Sequence, residues 1–344
     1  MRPGSNRQGR EPDPQQAYES IASNIQQVIR GKPLVVRLAV ATLFAGGHLL
    51  IEDLPGLGKT SLARSLARSI GGEWSRIQFT PDLLPGDVTG VVVYDQGHGR
   101  FVFHPGGIFA NVVLADEVNR GTPKTQSALL EVMAERQATV DAETHRVPDP
   151  FMVLATQNPI EMEGTYRLPE AQLDRFLMRI EIGYPDHDAE VEVVALDGAG
   201  PNPDDLEPVI DPEALRAVIA AVRAVYVDDA VMRYAVRIAA ATRQHSAIRY
   251  GASPRGSIAL VRAARAIAAT EGRGFVTPDD VKSIARPVLA HRLVLTPDAA
   301  LARRTTADVI SDVLEETAAP GNPGAPRSST DARRGGIRPS RTVS

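Results

Sequence analysis

Cysteine is absent from this 344-residue chain, and aromatic residues make up only 5% of it. Without cysteine there are no disulfides, cysteine zinc sites or thiol nucleophiles, and the composition suits a reducing cytoplasm, which is the compartment we predict. Basic residues are not in excess either, because 38 Lys and Arg stand against 42 Asp and Glu, for a formal charge of -4. A protein that depends on nucleic-acid phosphates normally needs a basic field, so a nucleic-acid partner is not favoured.

Long apolar runs are also missing from the chain. The segment Met1–Asp13 is polar and lacks the apolar core of a secretory signal, so no export is expected. The most apolar stretch, Leu34–Ile51, is interrupted by Arg37 and His48. It therefore predicts a buried helix, a turn and a strand, and we expect no transmembrane segment.

Composition divides the chain into four parts. Residues 1–15 and 320–344 are rich in Pro, Gly, Ser and Arg, and we expect them to form loose tails. For the basic C-terminal tail, a solvated end is favoured over contact with an acidic partner. Between the tails we predict an α/β nucleotide-binding domain over residues 16–184 and a helical lid domain over residues 185–319.

In the first half, strand-like and helix-like segments alternate, which predicts a parallel sheet flanked by helices. Apolar runs typical of central strands lie at His48–Glu52, Val112–Ala115 and Phe151–Ala155. A further strand is predicted at Leu177–Ile182, where apolar and polar residues alternate. Helices are predicted over Thr60–Ile70 and after the N-cap Thr122. The boundary between the two domains is expected near Tyr184.

From about Asp186 onward the pattern becomes Ala-rich with helical periodicity, which predicts an all-helical second domain. Helix starts are expected at Asp211-Pro212, Ser253-Pro254 and Thr277-Pro278, because a capping side chain precedes proline at each. The Pro-rich stretch Gly198–Asp211 predicts a surface loop.

The clearest motif is a P-loop between a strand and a helix. Its residues are Pro55, Gly56, Leu57, Gly58, Lys59, Thr60 and Ser61. The glycines let backbone amides close around phosphate oxygens, Lys59 can bridge the terminal phosphates of ATP, and Thr60 can ligate Mg²⁺. Asp53 departs from the usual motif, which begins with glycine at that position. A plain strand–helix turn that happens to contain Gly-Lys-Thr is the disfavoured alternative.

Two acidic residues follow the second apolar run, at the end of a strand where open α/β sheets bind ligands. We assign Asp116 to the metal, through water, and Glu117 to the base that orients and deprotonates the attacking water. Alone, this pair could equally be two helix-capping acids. Beside the P-loop, the catalytic interpretation is favoured.

Three further polar residues are candidates for the same chemistry. Asn158 follows the third strand and can position water or sense the γ-phosphate, although Asn before proline also makes a good turn. Arg175 is suited to reach a neighbour's nucleotide, and Arg255, on the first turn of a helix, can point onto the same phosphates. Either arginine could instead form a structural ion pair, and spacing does not separate these alternatives.

Long colinear strings surround these motifs, at Glu52–Thr60, Leu114–Arg120, Pro123–Glu131, Ala155–Tyr166, Leu168–Phe176 and Gly251–Arg255. In them the chain resembles the MoxR family of AAA+ ATPases, from about Gln26 to His291. The resemblance implies Walker A at Asp53–Thr60, Walker B at Leu114–Glu117, sensor 1 at Asn158, an arginine finger at Arg175 and sensor 2 at Arg255. It also implies that Val91–Phe103, which has the pattern of a hairpin, is the helix-2 insert of this clade. Arg167 and Gly121 depart from the family's usual Pro and Ala, away from the proposed chemistry.

The implied fold is a P-loop NTPase AAA+ core, a parallel sheet flanked by helices, followed by a smaller all-helical lid. The implied activity is Mg²⁺-dependent ATP hydrolysis in a homo-oligomer, a hexameric ring. Family members resemble chaperones that remodel, mature or activate protein complexes, often with a partner that bears a von Willebrand factor A domain.

The alternatives are a nucleic-acid motor or loader and a nucleotide-binding module without turnover. A motor needs basic or aromatic residues on the hairpins that face the pore. The predicted hairpin offers Tyr94, Arg100, Phe101 and Phe103 but little cationic clustering. This pattern favours protein clients. Glu117 argues against a module without turnover. The seven histidines show no metal-ligand spacing, so no metal site is assigned to them.

Overall fold

A computed structural model of the protein describes residues 13–158, 165–195 and 200–321. The predicted tails therefore lie mostly outside the described residues. The N-terminal tail ends earlier than expected, because a helix already begins at Pro14. The Asp13 carboxylate caps this helix by accepting hydrogen bonds from the amides of Gln15 and Gln16, at 3.0 and 3.2 Å.

The first half alternates helices and strands, as predicted. The elements are α1 (Pro14–Gln26), α2 (Pro33–Phe44), β1 (Leu49–Glu52), α3 (Lys59–Ser69), β2 (Trp74–Gln78), α4 (Pro85–Thr89), β3 (Val91–Asp95), β4 (Arg100–His104), β5 (Val112–Asp116), α5 (Pro123–Glu135), β6 (Gln137–Val140), β7 (Glu143–Arg146), β8 (Met152–Gln157), α6 (Glu170–Leu173) and β9 (Met178–Ile180). A 3₁₀ turn, Val118–Arg120, follows β5. The four predicted strands are confirmed as β1, β5, β8 and β9, with ends that differ by one or two residues.

These strands and β2 form one parallel sheet in the order β2-β5-β8-β1-β9. The order places the carboxyl ends of β5, β8 and β1 side by side. Alternate residues of each strand enter different cores: Leu49 and Ile51 pack with α1, α2 and α3, whereas Leu50 packs with α5 on the other face. Because both faces are covered, the central strands are apolar throughout, which is why sequence pattern alone located them.

Two antiparallel hairpins project from this core. The predicted hairpin is confirmed as β3 and β4, with Val91 opposite His104. A second hairpin, β6 and β7, pairs Gln137 with Arg146. The rings of Phe103 and His145 stack with centroids 3.7 Å apart and planes 5° apart, so the two hairpins contact each other.

The second half is mainly helical. Its elements are α7 (His187–Ala195), α8 (Pro212–Ala224), α9 (Asp229–Gln244), β10 (Ile248–Tyr250), α10 (Pro254–Thr270), α11 (Pro278–Leu289), β11 (Val294–Leu295), α12 (Pro297–Leu301) and α13 (Thr306–Glu316). The predicted starts are confirmed, because Asp211, Ser253 and Thr277 each cap the helix that follows. The all-helical prediction is wrong in one detail. Strands β10 and β11 form a small antiparallel pair, too short to leave a periodic signal.

The predicted surface loop is packed more closely than expected where it is described. Leu206 is buried, and the Val209 amide donates to the Ser69 carbonyl oxygen at 2.9 Å, which ties the loop to the end of α3. Gly198 and Ala199 lie outside the described residues. Within the ranges that the structure describes, every helix is too short or too polar to cross a membrane.

Candidate active site

The P-loop forms at the predicted place, between β1 and α3. Gly56 and Gly58 have φ angles of +83° and +84°, a region that side chains disfavour, and a Cβ added to Gly56 would meet no atom within 4 Å. Gly58 is the N-cap of α3, so the unpaired amides of the first helical turn face the loop. This open, amide-lined turn at a positive helix end suits a phosphate chain.

Lys59 begins α3, and its ammonium group is held against the loop. The residue is buried, and its Nζ donates to the Asp53 carbonyl oxygen at 2.8 Å. Thr60 and Ser61 follow on the first turn, both half-buried. The Lys59 ammonium, which we assign to the phosphates, thus contacts the backbone at the start of the P-loop.

Asp53, which departs from the usual motif, has a structural role that sequence reasoning missed. Its Oδ2 accepts hydrogen bonds from the amides of Ile182 and Gly183, at 2.7 and 2.6 Å, and its Oδ1 accepts one from the Leu54 amide at 2.9 Å. Ile182 and Gly183 follow β9 and lead into the second domain. A carboxylate in place of glycine therefore joins the start of the P-loop to the segment between the domains.

Asp116 and Glu117 stand at the end of β5, and a buried threonine of β8 fixes both. The Thr156 hydroxyl donates to Asp116 Oδ1 at 2.6 Å and accepts the Glu117 amide at 2.8 Å. Glu117 itself has a φ of 54°, so the chain turns sharply after Asp116. A positive φ in a non-glycine residue is a strained arrangement that is frequent at functional sites.

Edge strand β2 supplies two more residues that sequence reasoning missed. The Arg76 guanidinium donates to Asp116 Oδ2 at 2.6 and 3.2 Å, and Gln78 Nε2 donates to Glu117 Oε2 at 3.0 Å. Arg120 also reaches Glu117 Oε2, at 3.2 Å. The two acids are therefore held by two cations and an amide, and of these Arg76 and Gln78 depend on β2 lying beside β5.

Asn158 follows β8, between the ends of β5 and β1. It is buried, and it lines a cavity of about 450 Å³ together with Glu52, Gln157 and the lid segment around Val294. The alternative turn with Pro159 lies outside the described residues. Lys59, Asp116 and Asn158 thus follow three neighbouring strands at one edge of the sheet, as the sequence predicts.

Arg175 and Arg255 lie elsewhere. They line a different cavity, of about 470 Å³, with Gly46, Gly47 and His48, the residues directly before β1. Strand β1 runs four residues from that edge to the P-loop edge, about 13 Å at 3.3 Å per residue. Within one chain, therefore, neither arginine lies beside Lys59, and the two sets of candidate residues occupy opposite edges of the sheet.

A carboxylate and a hydroxyl join the segments that carry the two arginines. Ser253, the N-cap of the helix that carries Arg255, donates to Asp174 Oδ2 at 2.9 Å, and Asp174 precedes Arg175. Arg292 donates to the other oxygen, Asp174 Oδ1, at 2.7 Å. The Arg255 side chain is exposed, whereas an Arg175 Nη donates to the Leu130 carbonyl oxygen. Core and lid thus present both guanidinium groups on one face.

The residues assigned to magnesium fit that ion by donor chemistry. Mg²⁺ prefers oxygen ligands and keeps several waters, so the Thr60 hydroxyl and the Asp116 carboxylate are sufficient protein ligands beside phosphate oxygens. Among the described residues there is no cluster of three or more His, Cys, Asp or Glu side chains of the kind that binds a metal without a nucleotide.

Comparisons with known proteins agree with this architecture. Residues 48–178 match the model of the ATPase family associated with various cellular activities (AAA), and residues 240–313 match the AAA lid domain. A crystal structure of a proposed ATPase from Cytophaga hutchinsonii superposes with a TM-score of 0.82 at 36% identity, covering 88% of this chain and 94% of that one.

Relatives of known sequence cover most of the chain. The uncharacterized protein YeaC of Bacillus subtilis is 47% identical over 86% of this chain and 93% of its own length. Chaperone MoxR1 of Mycobacterium tuberculosis is 42% identical over 86% of this chain and 80% of its own length. Protein MoxR of Methylorubrum extorquens is 32% identical over 86% of this chain and 93% of its own length.

Proposed function

Because this chain belongs to the MoxR family of AAA+ ATPases, we propose that it hydrolyses Mg-ATP at sites shared between neighbouring subunits of a ring. The observation that carries the proposal is the division of the candidate residues between two edges of the sheet. The P-loop, the acids and Asn158 lie at one edge, whereas Arg175 and Arg255 lie at the other.

At the P-loop edge, each residue has a role in phosphoryl transfer to water. The backbone amides of residues 56–61 and the Lys59 ammonium would hold the phosphates, and Thr60 and Asp116 would hold Mg²⁺, which neutralises phosphate charge when bound. Glu117 would accept a proton from the attacking water, and Asn158 would orient that water. Thr156 supports both acids, since its hydroxyl contacts the Asp116 carboxylate and the Glu117 amide.

At the opposite edge, Arg175 and Arg255 would complete the site of a neighbouring subunit. A planar guanidinium stabilises the charge that spreads over the transferred phosphoryl oxygens. Since neither arginine lies beside the P-loop of its own chain, a complete site requires head-to-tail contact between copies. Such contacts form a ring when the rotation between successive copies closes. We propose a homo-oligomer, a hexameric ring.

We propose a protein client for this ATPase, as a chaperone that remodels, matures or activates protein complexes. Tyr94 and Phe101 on the β3–β4 hairpin are 51% and 72% exposed, and apolar surface of this kind suits contact with protein better than with phosphates. A partner with a von Willebrand factor A domain, and a cytoplasmic location, stay predictions.

The proposal is tested by the variant Glu117→Gln, which keeps the size of the side chain but removes the base. We expect it to bind ATP with unchanged affinity, to form a larger assembly when ATP is added, and to hydrolyse ATP at least about a hundredfold more slowly than the wild type. Native mass measurement and phosphate release are the readouts. Normal turnover by this variant would remove Glu117 from the mechanism.

A further inference from the structure

The cavity beside Arg175 and Arg255 carries more positive charge than two catalytic arginines require. Six arginines line it, against two carboxylates, Glu135 and Asp174. Asp174 is already paired with Arg292. His48 adds no charge, because burial, reinforced by the nearby Arg136, lowers the pKa of its imidazole to about 3. The cavity therefore has a net excess of four positive charges, which is unfavourable without an anionic ligand.

Three of these arginines converge on one point, separate from the P-loop. The Nη2 atoms of Arg223, Arg136 and Arg262 lie 3.3, 3.8 and 4.0 Å from the position that a Cβ on Gly46 would occupy. Gly46 has a φ of +63°, and it leaves that position open. The three side chains come from α8, the end of α5 and α10, so core and lid both contribute to the cluster.

Part of this cluster has a structural explanation. Arg136 donates to the Gly46 carbonyl oxygen at 2.7 Å, and Arg262 donates to the Ala45 carbonyl oxygen at 2.8 Å, at the C-terminal end of α2. A helix C-terminus carries only about half of one negative charge, however, which does not balance three guanidinium groups. Arg223 is exposed, and its guanidinium has no hydrogen-bond partner among the described residues.

The cations also repel one another. Partial burial of its guanidinium, together with the charges of Arg223 and Arg136, lowers the pKa of Arg262. Burial lowers the pKa of Arg136, Arg223 adds to that effect, and Asp149 opposes it. A bound anion would relieve this repulsion and would use donors that the helix end leaves free.

We propose that Arg136, Arg223 and Arg262 form a second oxyanion site, distinct from the P-loop, which binds a phosphate group. Guanidinium donors match the geometry of phosphate oxygens, and a phosphate group carries about 1.5 to 2 negative charges at neutral pH. The group comes either from free inorganic phosphate or from the nucleotide of the neighbouring subunit, which in the ring would lie against the same cavity. The second source rests on the proposed function, whereas the first does not.

The first arm of the test measures inorganic phosphate binding by calorimetry at constant ionic strength. It uses Lys59→Ala protein, in which the P-loop no longer competes for phosphate. For free phosphate as the source, we expect saturable binding at one site, at least tenfold weakening by Arg223→Ala, and a smaller loss with Arg223→Lys. Arg233→Ala, which removes an exposed arginine of α9 paired with Asp229, is the matched control and should change nothing.

The second arm measures ATP-driven assembly of the Glu117→Gln protein by native mass. If the phosphate comes from the neighbour's nucleotide, Arg223→Ala should raise the protein concentration needed for assembly with Mg-ATP at least tenfold. Without Mg-ATP, the substitution should leave that concentration unchanged. Arg223→Glu should fold, because its carboxylate can occupy the cluster, and it should fail in whichever arm Arg223→Ala fails.

The outcomes are separable. If Arg223→Ala loses phosphate binding in the first arm, free phosphate is the source. If Arg223→Ala loses only ATP-driven assembly, in the second arm, the neighbour's nucleotide is the source. The phosphate site is wrong if Arg223→Ala binds phosphate as well as Arg233→Ala does and, in the second arm, either matches that control or weakens assembly equally with and without ATP. Absence of ATP binding or turnover by wild-type protein would instead refute the proposed function, and it would leave the first arm valid.

Discussion

The Arg76 guanidinium forms an ion pair with the Asp116 carboxylate, with Nη2 and Oδ2 2.6 Å apart. Asp116 is the residue that we assign to magnesium, and its other oxygen accepts the Thr156 hydroxyl. Both oxygens are therefore engaged, and a cation already balances the charge that would attract Mg²⁺. Arg76 thus opposes metal binding electrostatically.

Replacing Arg76 with alanine should raise the apparent affinity for Mg²⁺. We expect the Mg²⁺ concentration that gives half-maximal ATP hydrolysis to fall severalfold, because the positive charge that repels Mg²⁺ beside Asp116 is removed. Arg76→Lys keeps the positive charge, and its half-maximal Mg²⁺ concentration should lie between those of Arg76→Ala and the wild type. A Mg²⁺ titration at saturating ATP measures the effect, and an equal or weaker Mg²⁺ response in the alanine variant would contradict it.

Replacing Asp53 with glycine restores the usual first residue of the motif but removes the acceptor for the Ile182 and Gly183 amides. Because those amides lose a charged partner, we expect the free energy of unfolding to fall by about 1–3 kcal/mol. The affinity for nucleotide should stay within a few fold of the wild type, since the phosphate-binding amides are unchanged.

Urea denaturation and fluorescent-nucleotide binding test this prediction, with Asp53→Ala as the control for glycine flexibility. Asp53→Ala should lose similar stability, because it lacks the same acceptor. Unchanged stability in both variants would show that the contact with the domain junction contributes nothing.

Acidification should destabilise the protein through His48. The ring is buried, its Nδ1 accepts the Val153 amide at 3.0 Å, and its Nε2 lies 3.1 Å from the Met133 carbonyl oxygen. Burial is the main reason that its pKa falls from 6.5 to about 3 in the folded protein. The unfolded chain therefore binds a proton below pH 6.5 that the folded chain does not, so stability is lost as pH falls from about 6.5 toward 3.

The slope from His48 approaches about 1.4 kcal/mol per pH unit well below pH 6.5. Burial lowers the pKa of His291 in the same direction, so the two histidines add. Urea denaturation at pH 7, 6 and 5 measures the slope. His48→Gln should be less stable at pH 7 but should show a shallower decline, and a decline as steep as that of the wild type would exclude His48 as its cause.

Local patterns predicted the elements and residues whose signals lie within one segment. The apolar runs gave β1, β5 and β8, and the Gly-Lys-Thr string gave the P-loop, because neighbouring residues alone determine these features. The juxtaposition of Lys59, Asp116 and Asn158 also followed, since parallel strands end at a common edge.

Contacts that depend on strand order were missed. Arg76 and Gln78 reach the two acids only because β2 lies beside β5, and no periodicity in the sequence indicates that neighbour. Asp53 contacts Ile182 and Gly183, which lie about 130 residues further along the chain. Arg136, Arg223 and Arg262 come from separate elements over a similar span and meet only in the folded protein. The motifs therefore predict which residues carry the chemistry, whereas tertiary packing determines which other residues hold those side chains in place.

The central claim is that ATP lies between two subunits, with Lys59 supplied by one and Arg175 by the next. Its most direct test mixes Lys59→Ala and Arg175→Ala proteins and measures ATP hydrolysis. Each variant alone should be nearly inactive. If the sites act independently, the equal mixture should regain about a quarter of the wild-type rate, because one in four interfaces joins an intact P-loop to an intact arginine. A mixture no more active than its two components would contradict a shared site.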